Sequence, residues 1–539
     1  MNGADTAWVL VCAALVLFMV PGLALFYGGM VSGRNVLVML QQNIFPIGAL
    51  TLVWVIIGYS LAFGQDSTMG LLGNFELFGL RDLTTAPLPA MHVIVEGIAI
   101  PTLAFVVYQM MFAIITPALI TGATADRLRF GGYALFIAVW SLLVYVPVAH
   151  WLFNPSGWLA QLGAQDWAGG LVVHASAGTA VIAVLLVIGR RRRWPHAATP
   201  PHSIPMVVLG AGILWFGWFG FNAGDGLRVD GIAAQALINT QVAGAAAMLL
   251  WLLVERIRDG HSTVLGAVTG AVAGLATITP CAGYVSTYSA VAIGAIAGLV
   301  CQWALRLKTF LRLDDALDVI AVHLTGGIIG TLLVGIFGEA AINSIGADGL
   351  LFGGGATLLA KQALATAVVI VFAFVVTWII ATAVERTVGL RVAPDAEGNL
   401  DHVQQGASAY AYGRASDIMQ PGEAPAGPPI ADIESGGVVP SMRLVRALID
   451  DRDADELRTE LLAAGAVTIT LSDASVYVRD HAKEYVRGDV RTVEFAPRLR
   501  IEIVVAEQYV AAVVAALRSF DGVGDYVQVA DLRLMDTRG

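Results

Sequence analysis

The sequence predicts an all-α polytopic membrane protein that carries a small α+β domain at its C-terminal end. Three observations carry that prediction. Over 539 residues the chain is 57% hydrophobic and only 13% charged, where a soluble chain carries about 25% charged residues. The shortfall is confined to Met1 through about Arg391, a series of apolar runs near the ~20 residues needed to cross a bilayer. Beyond it charge returns, and fourteen of the 31 lysines and arginines fall at Arg414 or later.

In order, the eleven apolar runs are roughly 7–30, 37–63, 93–121, 131–152, 167–189, 204–223, 232–255, 262–280, 284–305, 319–338 and 362–386. No basic segment precedes the first, which argues against a cleaved signal peptide. It reads as a spanning helix with its N-terminus outside. Basic residues between the runs set the direction. Arg34, Arg127, Arg129, Arg190 to Arg193, Arg256, Arg258, Arg306, Lys308, Arg312, Arg386 and Arg391 all fall on one side. Only Arg81, Arg228 and Lys361 fall on the other. Cytoplasmic loops attract Lys and Arg, so the first set faces inward. An odd number of spans then leaves the C-terminal domain in the cytoplasm, beneath a plasma or inner membrane.

Several function classes drop out. The net charge is −10 and no basic stripe interleaves with aromatics, which argues against nucleic acid. Cys12, Cys281 and Cys301 lie in apolar runs and read as packing residues. No nucleophile–base pair or metal triad appears, so neither an enzyme nor a metal site is indicated.

The fifth and tenth runs carry a repeated motif. Val173-His174-Ala175-Ser176-Ala177-Gly178 matches Val322-His323-Leu324-Thr325-Gly326-Gly327, both V-H-x-[ST]-x-G. Each has an aspartate eight residues earlier, Asp166 and Asp315. The two runs cross in opposite directions, so runs one to five and six to ten form inverted five-helix repeats, with the site at mid-membrane. Eight residues carry each histidine about 12 Å inward from its aspartate, near the middle of a core roughly 30 Å thick. A lone histidine in such a run reads as a core residue bonded to a neighbouring helix. A repeated one reads as a pathway residue, because ionisable groups within spans are costly. Neither motif supplies a third ligand for zinc.

An uncharged imidazole pair offers hydrogen bonds and a proton path. It lacks the oxygen-rich coordination that a hydrated metal cation needs. It suits a small species that can shed a proton, and ammonium is the natural candidate. A mouth for that cation should carry aromatic faces. Phe153, Trp158, Trp218 and Phe221 are candidates at span ends; the other reading of each ring is an interfacial belt or core packing.

Here the chain resembles the ammonium transporter (Amt/Mep/Rh) family over essentially all of 1–412. The matching stretches include "PGLALFYGGMVSGRNVL", "WFGWFGFNAG", "DWAGGLVVH", "TPCAGYV" and "DDALDVIAVHLTGGIIGTLLVGIF". The resemblance implies a homotrimer of eleven-helix subunits with one pore each. It implies that His174 and His323 are the pore pair, and that Asp166 is the acidic residue near the recruitment site. It makes Phe112 and Phe221 the stacked gate rings, with Trp218 beside them. Two positions depart from the family. Phe153 stands where the external tryptophan is expected, with Trp158 close by. Asp225 replaces the serine of the mouth, and reads either as a cation-capturing carboxylate or as a solvated loop charge.

Residues 392–440 are rich in Pro and Gly and read as a cytoplasmic tail and flexible linker, with a reach of roughly 30 Å between Tyr412 and Ser441. Residues 441–539 form the third segment. "MRLVRALI", a helix opening at Asp453, "VTITL", a polar excursion at 472–492, "LRIEIVV", a helix at 507–519 and "YVQVADLRL" make β-α-β-β-α-β, a ferredoxin-like layout. This segment resembles the PII signalling proteins, which are trimers. That resemblance implies that Arg487, in the excursion, enters the cytoplasmic mouth and pairs with Asp315 or Asp318; the other reading is a solvated loop arginine. Arg498, Glu502 and Arg533 keep the family's effector-binding positions, so an adenine nucleotide or other small effector is expected. Val527, Arg479 and Arg491 depart from that pattern.

The leading reading is therefore an ammonium transporter gated in cis by a PII-like domain, needing no cofactor for transport. A second is an ammonium sensor that signals through its C-terminal domain with little flux. A third is a conduit for another small neutral molecule.

Overall fold

Capping groups open many of the helices. Asn2 accepts from Ala4 N at 3.0 Å to start α1 (Gly3–Met30). Asp230 accepts from Ile232 N and Ala233 N at 2.9 Å to start α7 (Gly231–Asp259), and Thr263 accepts from Gly266 N at 2.8 Å to start α8 (Val264–Ile278). The other long helices are α2 (Val36–Phe63), α3 (Thr102–Ala123), α4 (Phe130–Leu162), α5 (Gly170–Ile188), α6 (Ile204–Gly226), α9 (Thr287–Phe310), α10 (Ile320–Phe337) and α11 (Thr357–Thr387). Ten of these are long and apolar enough to cross a membrane; α8, with 15 residues, is apolar but shorter.

The structure is a computed structural model. It describes residues 1–81, 83, 87–89, 97–192, 194–195, 200–394, 396–410, 441–449, 454–486, 489–519 and 527–532. Within these, the side chains at 449, 454–456, 458–459, 471–486, 489–499 and 531–532 are outside the description.

Three expected runs change their limits. The third does not begin at 93: the helix opens at Thr102, because Pro101 is extended (φ −63°, ψ 141°) and Gly97 has φ +73°. Residues 91–96 lie outside the described residues. The fourth breaks at 154–157 and resumes to Leu162. The eighth stops at Ile278, just before Pro280.

Glycines let the helices touch backbone to backbone. A Cβ on Gly210 would lie 2.3 Å from Phe26 N, and one on Gly217 would lie 2.7 Å from Leu15 O. α6 therefore seats directly on α1. In lipid, where apolar association gains little, such close approach is what holds helices together. α5 packs on α10 as α1 packs on α6.

Arg127, Arg191 and Arg391, expected on one side of the membrane, meet at one end of the bundle. Arg127 is fully buried; it donates to Ala123 O, Gly189 O and Asp314 O at 2.6–2.8 Å, and its guanidinium lies 3.3 Å from the Asp314 carboxylate. Arg191 reaches Asp126 at 3.0 Å and Asp314 at 2.8 Å. Arg391 donates to Ile188 O and Arg190 O. The chain then returns across this end. Val392 N donates to Arg127 O at 2.9 Å, and Val392, Ala396 and Leu400 pack on Val38. Asp401, in α12 (Leu400–Gln405), accepts from Leu37 N and Val38 N at 3.0 and 2.9 Å and so caps α2. Residues 392–406, expected as the start of a flexible linker, are thus fastened to the membrane unit. Residues 411–440 lie outside the described residues.

The chain divides into two compact units, Met1–Ala409 and Tyr410–Gly539. The second runs β1 (Met442–Ile449), α13 (Ala454–Ala463), β2 (Ala466–Val486), β3 (Asp489–Ala506), α14 (Val510–Arg518) and β4 (Val527–Leu532). Its antiparallel sheet has the order β2-β3-β1-β4. Val445, Ala447, Ile501, Ile503 and Val505 alternate onto one face, where they pack on Leu457, Leu461, Val513 and Leu517 of the helices. Gly465, at φ +99°, ends α13. The expected excursion at 472–492 is instead strand: β2 and β3 stay paired from Thr468↔Val504 out to Val486↔Asp489, with a register shift between Tyr477 and Ala482. β-Branched and aromatic residues such as Val476, Tyr477, Val493 and Phe495 suit a ribbon despite its charge.

Candidate functional site

Each element of the repeated motif has a task at the start of α5 and α10. Asp166 Oδ1 accepts from Gly169 N and Gly170 N at 3.1 and 2.5 Å; its Oδ2 accepts from Leu171 N and Val172 N at 2.8 and 3.1 Å. Asp315 accepts from Val319 N and Ile320 N at 3.1 and 2.7 Å. These carboxylates satisfy the orphan N–H groups that open the two helices. The first turns are then π-helical, Gly170–Ala175 and Ile320–Leu324, and each contains a histidine. A π-turn widens the helix and frees carbonyls. Ser176 Oγ donates to Val172 O at 2.6 Å, and Thr325 Oγ1 donates to Ile320 O at 3.1 Å.

The motif glycines bring the two helices together. A Cβ on Gly178 would lie 2.6 Å from Leu324 N, beside His323. A Cβ on Gly327 would lie 2.8 Å from Ala175 N, beside His174. Each histidine turn is therefore seated on the glycine of the other copy. The imidazoles stack at 5.2 Å between centroids and 24° between planes, with Nδ1 to Nδ1 at 3.1 Å. At that distance one ring donates and the other accepts, so two doubly protonated rings cannot make the contact. Both rings are buried, and among the described residues His174 Nε2 has no hydrogen-bond partner.

A narrow cavity lined by Phe26, Ile115, Leu214, Val272 and the two histidines surrounds the pair. Toward the Asp225 end it is closed by rings. Trp218 and Phe221 stack on His174 at 5.6 and 6.1 Å, and Phe112 meets Phe221 at 4.3 Å. Trp218 Nε1 donates to Thr279 Oγ1 at 2.9 Å, which fixes the indole over His174.

The structure thus brings together His174, His323, Phe112, Phe221 and Trp218. It treats the other expected residues differently. Asp166 is spent on four backbone N–H groups, which leaves a helix-capping task rather than a free recruiting charge. Phe153 is buried, and Trp158 packs on Trp151 at 5.9 Å; among the described residues no ring contact joins either to the stack. Asp225, part-buried, follows Phe221 by four residues. Asp318 pairs with Lys308, and Asp315 is held by backbone, so neither is the open partner expected for a guanidinium. Glu502 accepts from Arg446 Nε at 2.8 Å on the sheet face opposite the core. Arg498 lies in β3 with its side chain outside the description; Arg487 and Arg533 lie outside the described residues.

Three rings near Asp225 were not expected. Tyr108 donates to Gly220 O and Phe221 O at 3.1 and 2.8 Å, and its ring meets Phe112 at 5.1 Å. Trp167 Nε1 donates to Asn222 O at 2.7 Å. Tyr284 sits edge-on to Trp167 at 5.3 Å. Burial, and after it the charges of Asp225 and Asp166, hold the Tyr284 phenol above its ordinary range. "DWAGG" and "TPCAGYV" were the stretches that could have flagged Trp167 and Tyr284.

Residues 7–410 match the family described as Ammonium Transporter Family. An ammonium transporter of Mycobacterium tuberculosis (strain ATCC 25618 / H37Rv) is 45% identical over 444 residues, covering 78% of this chain and 93% of that protein. The crystal structure of Candida albicans Mep2 superposes with a TM-score of 0.68 at 34% identity, over 73% of this chain and 87% of that one. A solved structure described as "Sensor Amt Protein" gives 0.67 at 30% identity, over 75% and 98%. A multi-pass helical bundle, a histidine motif used twice and a family match that runs through both copies lead to one assignment: this chain belongs to the Ammonium Transporter Family.

Proposed function

We propose that the chain conducts ammonium or ammonia through the histidine pair, across a plasma or inner membrane, with the Asp225 end outside. The observation that carries this reading is the 3.1 Å contact between two imidazoles inside a narrow apolar cavity. A cation held by rings at the mouth must lose its charge to enter such a cavity, because little there replaces its water. The histidine pair can take a proton on one ring and share it with the other, while ammonia passes along the same line. Among the described residues the lining of this cavity offers no ring of oxygens to a hydrated metal ion. Phe112 and Phe221 close the path above the pair, and recruitment falls to Asp225 and the rings around it.

The packing of α1 on α6 and of α5 on α10 supports the inverted-repeat reading. A homotrimer is part of the proposal by family likeness. The second unit is read as PII-like: its β-α-β-β-α-β order and its sheet order support a ferredoxin-like fold. Arg487, which lies in the chain between β2 and β3, is then the regulatory residue. To bind at the Asp315 end, Arg487 would have to compete with Lys308 for Asp318. An effector would meet Arg498 and Arg533, with Glu502 already paired.

A sensor is the second reading, favoured by the likeness to a protein described as a sensor and by the separate C-terminal unit. Uptake of labelled methylammonium into proteoliposomes separates the two. Saturable uptake is expected; binding with no uptake would replace transport by sensing.

A further inference from the structure

Both histidine turns carry one residue more than an α-helical turn. In the first, His174 N donates to Gly169 O, five residues back, at 3.1 Å. Ser176 N donates to Leu171 O and Val173 O, five and three back, and so passes over Val172 O. The hydroxyl of the same serine takes that carbonyl instead, at 2.6 Å. In the second turn, Thr325 N donates to Ile320 O and Val322 O, again five and three back. Thr325 Oγ1 also donates to Ile320 O, at 3.1 Å. Each hydroxyl residue follows its histidine by two positions.

Back-bonding by a hydroxyl is common within α-helices. Thr240 donates to Ala236 O at 2.7 Å inside α7, where the N–H of the same residue already takes that carbonyl. At Ser176 it does not. Among the described residues two further π-turns occur, Trp54–Gly58 in α2 and Ser141–Tyr145 in α4. They close at Tyr59 and Val146, neither of which has a hydroxyl that reaches its own backbone. Hydroxyl closure thus accompanies the two turns that bear a histidine. Both turns are also fixed at their ends. Asp166 holds N–H groups of 169–172, and Gly178 lies against Leu324. Asp315 holds those of 319–320, and Gly327 lies against Ala175. Closing a π-turn into an α-turn removes its extra residue, so the side chains within it would swing by up to roughly 100°, the step of one residue. His174 would then leave the Trp218 face and the 3.1 Å contact with His323.

We propose that Ser176 and Thr325 are positioning residues: their hydroxyls hold the histidine turns in the π form and thereby keep the two Nδ1 atoms in contact. The inference rests on the histidine-pore reading above, and it names what keeps the pair in register. Ser176 has the larger share, because it serves a carbonyl that its own N–H passes over. Thr325 shares a carbonyl that is already bonded.

The test uses the full-length protein in lipid, isotope-labelled at histidine nitrogen. Solid-state NMR reads the magnetic coupling between the two ring nitrogens across their hydrogen bond, and proteoliposomes give the ammonium-evoked current. A role confined to stability would change the amount of folded protein and not the coupling within it. Ser176→Ala should lose the coupling and lower the current about tenfold or more. Thr325→Val should weaken the coupling and lower the current about two- to threefold. Ser176→Thr, which borrows the residue of the second copy, should keep both. Full coupling in Ser176→Ala, or wild-type current there, would overturn the proposal while leaving the pore standing. Should Ser176→Ala fail to fold, Thr325→Val decides by the same two readings. No coupling in the wild type would instead overturn the histidine pair itself, and the proposal with it.

Discussion

A single hydrogen atom's worth of space decides whether the histidines meet. Gly178 and Gly327 each lie against the backbone beside the opposite histidine, at distances no Cβ tolerates. Gly178→Ala or Gly327→Ala should push α5 from α10, cost about 1–3 kcal/mol by overpacking, and lower uptake sharply. Thermal unfolding and methylammonium uptake check both effects together; wild-type uptake in both variants would contradict the close-approach account. The repeat V-H-x-[ST]-x-G was legible because the same chemistry is written twice. The reasons for its serine or threonine and its glycine were not, since they depend on π-turns and on contact with the other copy. The resemblance gave Asp166 as the acidic residue near the recruitment site; its four N–H partners come from a turn that residue order does not reveal. Tyr108, in an apolar run, looks like any core ring.

At the scale of elements, the tail at 389–406 behaves as a clamp. It ties the α3–α4 loop to the ends of α5 and α2. Asp401→Ala should remove the α2 cap at a cost of about 1 kcal/mol and raise amide exchange across 392–406. The clamp should also loosen in acid. Burial works against the Asp314 carboxylate, but Arg191 and Arg127 outweigh it and hold it below the usual carboxylate range. A lowered value means that its stabilisation is present above about pH 4 and is lost as pH falls through the lowered value. Amide exchange of 389–406 should therefore rise only below about pH 4; an onset near neutrality would assign the clamp to other groups. Most run limits were legible to within a few residues; the third, predicted from 93, was not, although Pro101 marks its opening at Thr102. The tail and the β2–β3 ribbon were not: Pro and Gly in the one, and charge in the other, hid segments that longer-range pairing orders.

For the whole molecule, two compact units imply two separable tasks. Removing residues 413–539 should leave uptake in place and change only its dependence on nucleotide, and Arg487→Ala should mimic the truncation. Identical uptake by full-length and truncated protein under every nucleotide tried would remove the regulatory proposal. The two-part organisation was legible from charge alone, because lipid excludes charge and water does not. The measurement that bears most directly on the whole is ammonium-evoked current in proteoliposomes of the full-length protein and of His174→Ala and His323→Ala. If the rings carry the proton that ammonium sheds, each substitution breaks the shared contact, and the current should disappear in both. Undiminished current in both variants would contradict it.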